Sequence, residues 1–222
     1  MERTEVYTEK QPPVAVIGAG HGGMAMAGHL SLMGHEVRLF NRGEDRLWGV
    51  RSTGGIEVQG EVSGFGTVAL VTNSMEEAMR GAELLMVVVP ALAHRWVAGQ
   101  MAPHLVDGQI VVLHPGRTMG AVEFRQVLTE NRVTADVVVS EAQTFIYASR
   151  VVGPAQVHIL GIKQSIPVAS VRAHRIPHLI TKLRAFYPQF VPGDNIFKTS
   201  FDNIGCVFHP AICVLNSGWI ED

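Results

Sequence analysis

Only two cysteines occur in the 222 residues, Cys206 and Cys213. They stand seven apart on an expected helix, too far round for an intrahelical disulfide. The expectation is therefore two buried, reduced thiols in a reducing compartment. Charge is also scarce. Charged residues make up 17% of the chain, and 18 basic against 20 acidic side chains leave a net charge of −2. With a pI near 6.5 the chain has no basic excess to suit nucleic acid or an anionic membrane. No apolar run approaches the roughly 18 residues that span a bilayer. The opening "MERTEVYTEKQPP" has no apolar signal core, which favours a cytoplasmic location. Common catalytic signatures are missing too: there is no G-x-S-x-G, no Walker-type loop and no H-E-x-x-H. His174 and His178 are four apart, but Pro177 interrupts them and no third ligand follows, so no metal is expected.

What is present is apolar and rich in glycine. Hydrophobic residues reach 47% and glycines number 23, which favours a globular chain with a sizeable core over disorder. After a polar tail at 1–12, "PVAVIG" (13–18) is a short continuous apolar run, as a strand buried on both faces requires. "HGGMAMAGHLSLMG" (21–34) has helical spacing and a terminal glycine, and "HEVRLF" (35–40) is the next strand. Together they form a βαβ unit, whose crossover should be right-handed. A hairpin or meander running into a third strand follows at 55–72. Next comes a short helix at 74–82, with Ser74 as N-cap and Glu77 completing a capping box. Further strands fall at 84–90, 109–116, 136–143 and, as two around a turn, 155–170. Helices fall between them: one breaks near Pro103, and others cover 118–130, 174–187 and 202–218. Solid Val/Ile/Leu strands alternating with helices predict an α/β chain, a Rossmann-type doubly wound and mainly parallel sheet.

"GAGHGG" places Gly18, Gly20, His21, Gly22 and Gly23 where that strand enters its helix. A lone G-x-G-x-x-G is a weak signal, but one inside a βαβ unit is specific for a dinucleotide. The first glycine permits the tight turn, the second lets backbone approach a pyrophosphate, and the third lets helix and strand pack closely. The helix N-terminus then presents free N–H groups to the phosphates. At the end of the second strand, an NAD site usually carries an acid about 20 residues past the first glycine. Here the chain reads Asn41, then Arg42, in "LFNRGEDR". A neutral side chain removes repulsion of a 2′-phosphate, Arg42 can pair with it and Arg46 can assist, so NADP is preferred over NAD. Glu44 or Asp45 reaching a ribose is the alternative.

Ligands in this fold lie beyond the carboxyl ends of the strands. Those ends carry Val89, Pro90 and Ala91 near the expected nicotinamide. They carry His114, Pro115 and Gly116 on the next strand, and Glu141, Gln143, Thr144 and Tyr147 on the sixth. Pro90 and Pro115 equally suit plain strand ends, and Glu141 a solvated surface. In the last helix Ile204, Phe208, Ala211, Ile212 and Leu215 share one face. His209 stands beside that stripe, with Pro210 bending or starting the helix; spacing alone reads it as packed or capping.

The segments "VIGAGHGGMAMAGHL", "VVVPALAH", "VVLHPGRTMGAVEFRQVL", "SEAQTFIYASR" and "TSFDNIGCVFHPAICVLNSG" together resemble the opine (octopine/nopaline) dehydrogenases, most closely the bacterial N-(1-carboxyethyl)-norvaline type. The resemblance covers 14–218. It implies reductive condensation of a 2-oxo acid such as pyruvate with the amino group of an amino acid, using NAD(P)H. It makes His209 the general acid/base, with His114, Gln143, Thr144 and Tyr147 on the substrate side. It also implies a Rossmann domain at 13–198 and, at 199–222, the start of a helical second domain that is largely missing here. With that domain go the amino-acid pocket and the aspartate that orients the histidine. The implied partners are small molecules, and possible homo-oligomers or a complementing helical-domain chain. Two other readings remain: a nucleotide-binding module or inactive remnant, and a ketopantoate reductase or glycerol-3-phosphate dehydrogenase-like enzyme. The latter relatives use a lysine near the substrate, whereas the strand-end turn here has Arg117 and no lysine falls between Lys10 and Lys163.

Overall fold

Burial on both faces is what the solid apolar runs predict, and the strands they form are the centre of the molecule. In a computed structural model that describes residues 11–202 and 205–219, β1 (Val14–Ile17), β6 (Leu84–Val87) and β7 (Ile110–Leu113) are buried at every position. The expectations for 1–10, Ile204 and the Cys206 side chain lie outside the described residues. The glycine turn follows β1 and opens α1 (His21–Leu32). The chain continues through β2 (Val37–Phe40), α2 (Trp48–Thr53), β3 (Gly55–Gly60), β4 (Gly64–Thr67), β5 (Leu70–Thr72) and α3 (Met75–Met79). After β6 come α4 (His94–Met101), β7, α5 (Gly120–Glu130) and β8 (Val138–Ala142). The remainder is β9 (Tyr147–Gly153), β10 (Gln156–Ile162), β11 (Ile166–Ser170), α6 (Ile176–Arg184), β12 (Phe190–Pro192), α7 (Ile196–Phe201) and α8 (Gly205–Leu215).

The main sheet has eight strands in the order β12-β11-β8-β7-β6-β1-β2-β5. All neighbours pair in parallel except β8 and β11. This is the doubly wound order the sequence predicts, and its strand order reverses between β1 and β6, where such folds open a ligand crevice. A second sheet, β4-β3-β10-β9, stands apart from the first. The two expected strands of 155–170 therefore go to different sheets, and β9 (147–153) is an addition to the expected set.

The second sheet explains why α1 is built from small residues. The helix is covered on several sides, and Gly23 through Gly28 are all buried. A Cβ on Gly28 would lie 2.6 Å from Val58 of β3, so only glycine lets that sheet approach. At the helix start, His21 Nδ1 accepts from the Val151 N–H of β9 at 2.8 Å, which ties the phosphate-binding end to the same sheet.

Several local expectations need correction. The capping box at Ser74 is half formed: Ser74 Oγ accepts from the Glu77 N–H, while Glu77 turns away to accept from Thr72 Oγ1. The Ser74 N–H goes to Thr72 Oγ1 instead, because the strand-end hydroxyl lies within reach of both groups. The expected helix at 202–218 is shorter, with α8 described over Gly205–Leu215. Asp202 ends α7, and Pro210 lies inside α8. Cys213 is a free thiol and is exposed, not buried, because α8 stands out from the sheet. Glu141 is not solvated but fully buried.

Two buried histidines tie stability to pH. His94 and His114 each keep one ring nitrogen without a partner among the described residues. Burial lowers His94 to about 4 and His114 to about 3. Both stay neutral in the folded state while the unfolded chain protonates them near 6.5. Their contribution is therefore complete above pH 6.5 and is lost as pH falls toward those lower values. His29 and His35 are shifted the same way by burial, whereas Glu141 is raised and opposes them. Each neutral buried histidine should add about 1 kcal/mol of unfolding free energy per pH unit to the slope between pH 5 and 6.5, approaching about 1.4 only well below the unfolded value. Urea unfolding between pH 5 and 6.5 should show that slope fall by this amount in His94→Leu. An unchanged slope in the variant would refute this account.

Candidate active site

The crevice at the strand-order reversal is lined by the residues that follow β1 and β6. Gly18 has φ +114°, and a Cβ there would lie 2.4 Å from the Val88 carbonyl oxygen. A Cβ on Gly23 would lie 1.7 Å from the Gly18 carbonyl oxygen. Gly20 is different: its nearest neighbour would be Arg46 Nη1 at 3.8 Å, so its outer side is open. The first and third glycines thus hold the turn and the second leaves room for a ligand, the cradle a dinucleotide pyrophosphate needs. The open side faces a cavity of about 470 Å³ lined by Gly18, Gly20, His21, Gly22, Asn41, Arg46, Val88, Val89, Pro90, His114, Pro115 and Phe145. A Cβ on Gly22 would lie 2.7 Å from the Phe145 ring, so that ring covers the helix start.

Next to it, a cavity of about 500 Å³ is bounded by Phe40, Asn41, Arg42, Val89, Pro90, Leu92, Ala93, Trp96 and Val97. Gly18, Asn41, Val89 and Pro90 border both spaces. Ala91 opens the turn after Pro90 and is exposed. Asn41 serves the turn itself. Its Oδ1 accepts from the Ala19 N–H at 3.1 Å and its Nδ2 donates to the Gly43 carbonyl at 2.9 Å. The Arg42 guanidinium lies 5.3 Å from the centroid of Trp96, a cation–π contact that holds it over this cavity. Glu44, one of the two acids that could have reached a ribose, is paired with Arg51.

A third cavity, also about 500 Å³, adjoins the glycine cavity across Pro115 and Phe145. Its remaining walls are Arg117, Gln143, Thr144, Tyr147, Lys163, Asp202, Gly205 and His209. Three of the four expected substrate-side residues therefore meet His209. The fourth, His114, lies under the glycine cavity instead. It is 2% exposed, with Nε2 3.0 Å from Met86 Sδ and its ring against Phe190. His209 itself is exposed, not packed. Gln143 Nε2 donates to the Asp202 carbonyl, tying the β8 end to the approach of α8. The Tyr147 hydroxyl is 2.8 Å from both His29 Nδ1 and the Tyr187 hydroxyl. Burial pushes both phenols above their ordinary pKa, so Tyr147 acts as a hydrogen-bonding group and not as a base near neutrality. Lys163 Nζ donates to Thr144 Oγ1 at 2.6 Å. Although the residue as a whole is exposed, burial of the ammonium group and then the charge of Arg117 lower its pKa.

Behind these cavities, Glu141 gathers three donors. It accepts from the Ala121 N–H (2.9 Å), Thr199 Oγ1 (2.9 Å) and Ser200 Oγ (2.8 Å). Burial raises its pKa, and the three donors pull it back. Ser200 Oγ also accepts from the Met119 N–H, which fixes the turn carrying Arg117. Arg117 and Met119 both have positive φ, +58° and +60°, a conformation that costs a non-glycine residue about 1 kcal/mol and that this network holds.

Sequence reading missed Phe145, Trp96, Asp202 and Lys163 as site residues. Phe145 lay inside a quoted motif, and Trp96 follows the Pro90 turn by six residues, so both had a positional signal. Lys163 had none: it comes from the turn between β10 and β11, far along the chain. Another cavity, of about 720 Å³, opens between residues 99–107 and 131–135, before β7 and β8. That is the amino-terminal edge of the sheet, away from the glycine turn, and fold logic assigns it no ligand.

The fold and the glycine turn define an NAD(P)-binding dehydrogenase domain. Residues 13–143 match the family described as the NAD-dependent glycerol-3-phosphate dehydrogenase N-terminus, and the chain belongs to that family. More particularly, it is similar to opine dehydrogenases. It is 31% identical over 208 residues to the opine dehydrogenase of Arthrobacter sp. (strain 1C), covering 93% of this chain and 58% of that protein. It is 28% identical over 208 residues to Protein ocs of Agrobacterium tumefaciens (strain Ach5), covering 89% of this chain and 55% of that protein. The chain spans little more than half the length of these curated relatives. A solved octopine dehydrogenase with NADH and pyruvate superimposes with a TM-score of 0.79 at 22% identity, over 96% of this chain and 57% of that one, a likeness of fold. No helix among the described residues is long and apolar enough to cross a membrane.

Proposed function

We propose that the chain carries the nucleotide-binding half and the acid/base histidine of an NADPH-dependent opine-type dehydrogenase. The reaction joins a 2-oxo acid such as pyruvate to the amino group of an amino acid and reduces the product to a secondary amine dicarboxylate. One observation carries this reading: the His209 cavity shares Pro115 and Phe145 with the cavity under the glycine turn. When bound, NADPH supplies the hydride. The protein's own work is to hold and protonate. Gly18, Gly20, Gly22, Gly23 and the His21 end of α1 receive the pyrophosphate, and Val89, Pro90 and Ala91 flank the cofactor. His209 gives and takes the protons of condensation at the substrate oxygen. Gln143 and Thr144 offer neutral hydrogen bonds around it, and Tyr147, its hydroxyl held by His29 and Tyr187, walls the cavity. Arg42 and Arg46 favour a 2′-phosphate, since Asn41 brings no competing negative charge.

We assign 13–198 to the nucleotide-binding unit and 199–222 to the beginning of a helical second domain. The exposed Phe208, Ile212, Val214 and Leu215 of α8 support this, as a face that a further domain or another chain would cover. The free Cys213 thiol fits the reducing cytoplasm.

Lys163 favours a second reading, because it places a lysine in the substrate cavity, as in ketopantoate reductases and glycerol-3-phosphate dehydrogenases. A single set of measurements separates the two. NADPH should quench protein fluorescence at lower concentration than NADH, and Arg42→Ala should remove that preference. NADPH oxidation should then require pyruvate together with an amino acid, and His209→Gln should slow it about a hundredfold or more. Turnover with ketopantoate or dihydroxyacetone phosphate instead would install the second reading. Binding without any turnover would leave a nucleotide-binding module.

A further inference from the structure

We infer that Lys163, with Thr144 and Arg117, forms the anchor for the carboxylate of the 2-oxo acid, an inference that rests on the opine-type reading. Several surface cations are matched to carboxylates: Arg51 to Glu44, Arg95 to Glu130, Arg172 and Arg175 to Asp136, and Lys182 to Glu83. Arg117 and Lys163 differ. They are near enough for Arg117 to disfavour the charge on Lys163, yet neither forms an ion pair among the described residues. Asp202 lines the same cavity and is bonded through its backbone carbonyl to Gln143, and it is not within ion-pair distance of either cation. Two like charges that line one cavity, neither of them ion-paired with the Asp202 that lines it too, are a site that an anion would relieve.

The donor geometry suits a carboxylate. Lys163 Nζ spends one of its three N–H donors on Thr144 Oγ1, at 2.6 Å, and keeps two. Thr144 Oγ1 accepts that bond, so its own proton is available to a ligand. Arg117 adds a guanidinium, whose fork matches two carboxylate oxygens. The positive φ of Arg117 and its support through Met119 and Ser200 hold the turn from which it projects. The anchor shares its cavity with His209, and Phe145 and Pro115 join that cavity to the glycine cavity. An acid held here by its carboxylate therefore has its carbonyl in the space between the cofactor cavity and the histidine. Amino-acid carboxylates share the chemistry, and the titration below separates the two acids.

The test is calorimetric titration of the full chain, with and without NADP, using pyruvate, methyl pyruvate and L-alanine. Lys163→Met should weaken pyruvate about tenfold to a hundredfold, leave methyl pyruvate unchanged, and leave NADPH binding intact. Lys163→Arg should recover most of the loss, and the melting temperature of both variants should match the parent. The assignment is overturned if Lys163→Met binds pyruvate normally, if pyruvate and its methyl ester weaken together, if only L-alanine weakens, or if the parent chain binds no pyruvate. Failure to bind NADPH with pyruvate binding retained would instead refute the dehydrogenase reading and leave the anion site standing.

Discussion

Gly23→Ala should lose both NADPH binding and stability, whereas Gly20→Ala should lose binding alone. The two positions lie three residues apart in one turn, and the difference is geometric. A methyl group on residue 23 would lie 1.7 Å from the Gly18 carbonyl oxygen, and that contact is backbone to backbone. No rotamer relieves it, so α1 must move away from the turn. The helix cannot move freely, because Gly28 further along it packs so closely on β3 that a Cβ there would lie only 2.6 Å from Val58. Overpacking of this kind costs about 2–3 kcal/mol. The displaced N–H groups should weaken NADPH about a hundredfold or more, or about 2.7 kcal/mol. On residue 20 the methyl meets nothing nearer than Arg46 Nη1 at 3.8 Å. The fold should not notice it, and the melting temperature should stay within about 2 °C. The pyrophosphate should notice it, because the methyl fills the open side of the turn. Thermal melts and NADPH fluorescence titrations of the two variants check the pattern. Equal loss of stability in both, or normal NADPH binding in Gly20→Ala, would show that the turn does not cradle phosphates as argued.

Those two glycines were legible from sequence because their duties are local. A turn between a buried strand and a helix imposes its glycines within six residues, and hydrophobic periodicity locates strand and helix on either side. The same locality explains why the parallel core strands were legible: a strand buried on both faces has no polar position to disguise it. The second sheet was legible only in part: the hairpin expected at 55–72 is β3 with β4, but β3 also pairs with β10 across a long gap, and nothing local chooses that partner. The His209 cavity falls between these cases. Gln143, Thr144 and Tyr147 lie at one strand end and could be gathered by the rule for strand ends. Lys163 reaches them only because β9 and β10 fold back, which is a tertiary event. His209 is the extreme case: its apolar neighbours suggested burial, yet Phe208, Ile212 and Leu215 are all exposed. Periodicity reports an apolar face and not what covers it.

Glu141 shows how a residue with no contact to the site cavities can govern them, and its removal should be the most damaging single polar change. In Glu141→Ala the Ala121 N–H, Thr199 Oγ1 and Ser200 Oγ lose their acceptor together inside the protein. Thr199 keeps a bond to the Ile196 carbonyl and Ser200 keeps the one from Met119, but the Ala121 N–H has no second choice. With the cavity left by the side chain, the cost should be about 3–4 kcal/mol, and the melting temperature should fall by about 10 °C. Glu141→Gln separates charge from connectivity. Its carbonyl oxygen can still accept from Ala121, its amide can donate to one hydroxyl, and the hydroxyls can turn, so the loss should be about 1 kcal/mol. Activity should fall more steeply than stability in the alanine variant. The network holds the strained Met119 and, through it, the turn of Arg117, while α7 leads through Asp202 toward His209. Slackening it displaces both walls of the His209 cavity, and a misplacement of about 1 Å can cost a hundredfold in rate. Proteolysis in the turn at 115–119 gives an independent readout: it should accelerate in Glu141→Ala and not in Glu141→Gln. If alanine and glutamine cost the same, the charge of Glu141 is what matters, and the three donors do not carry the site.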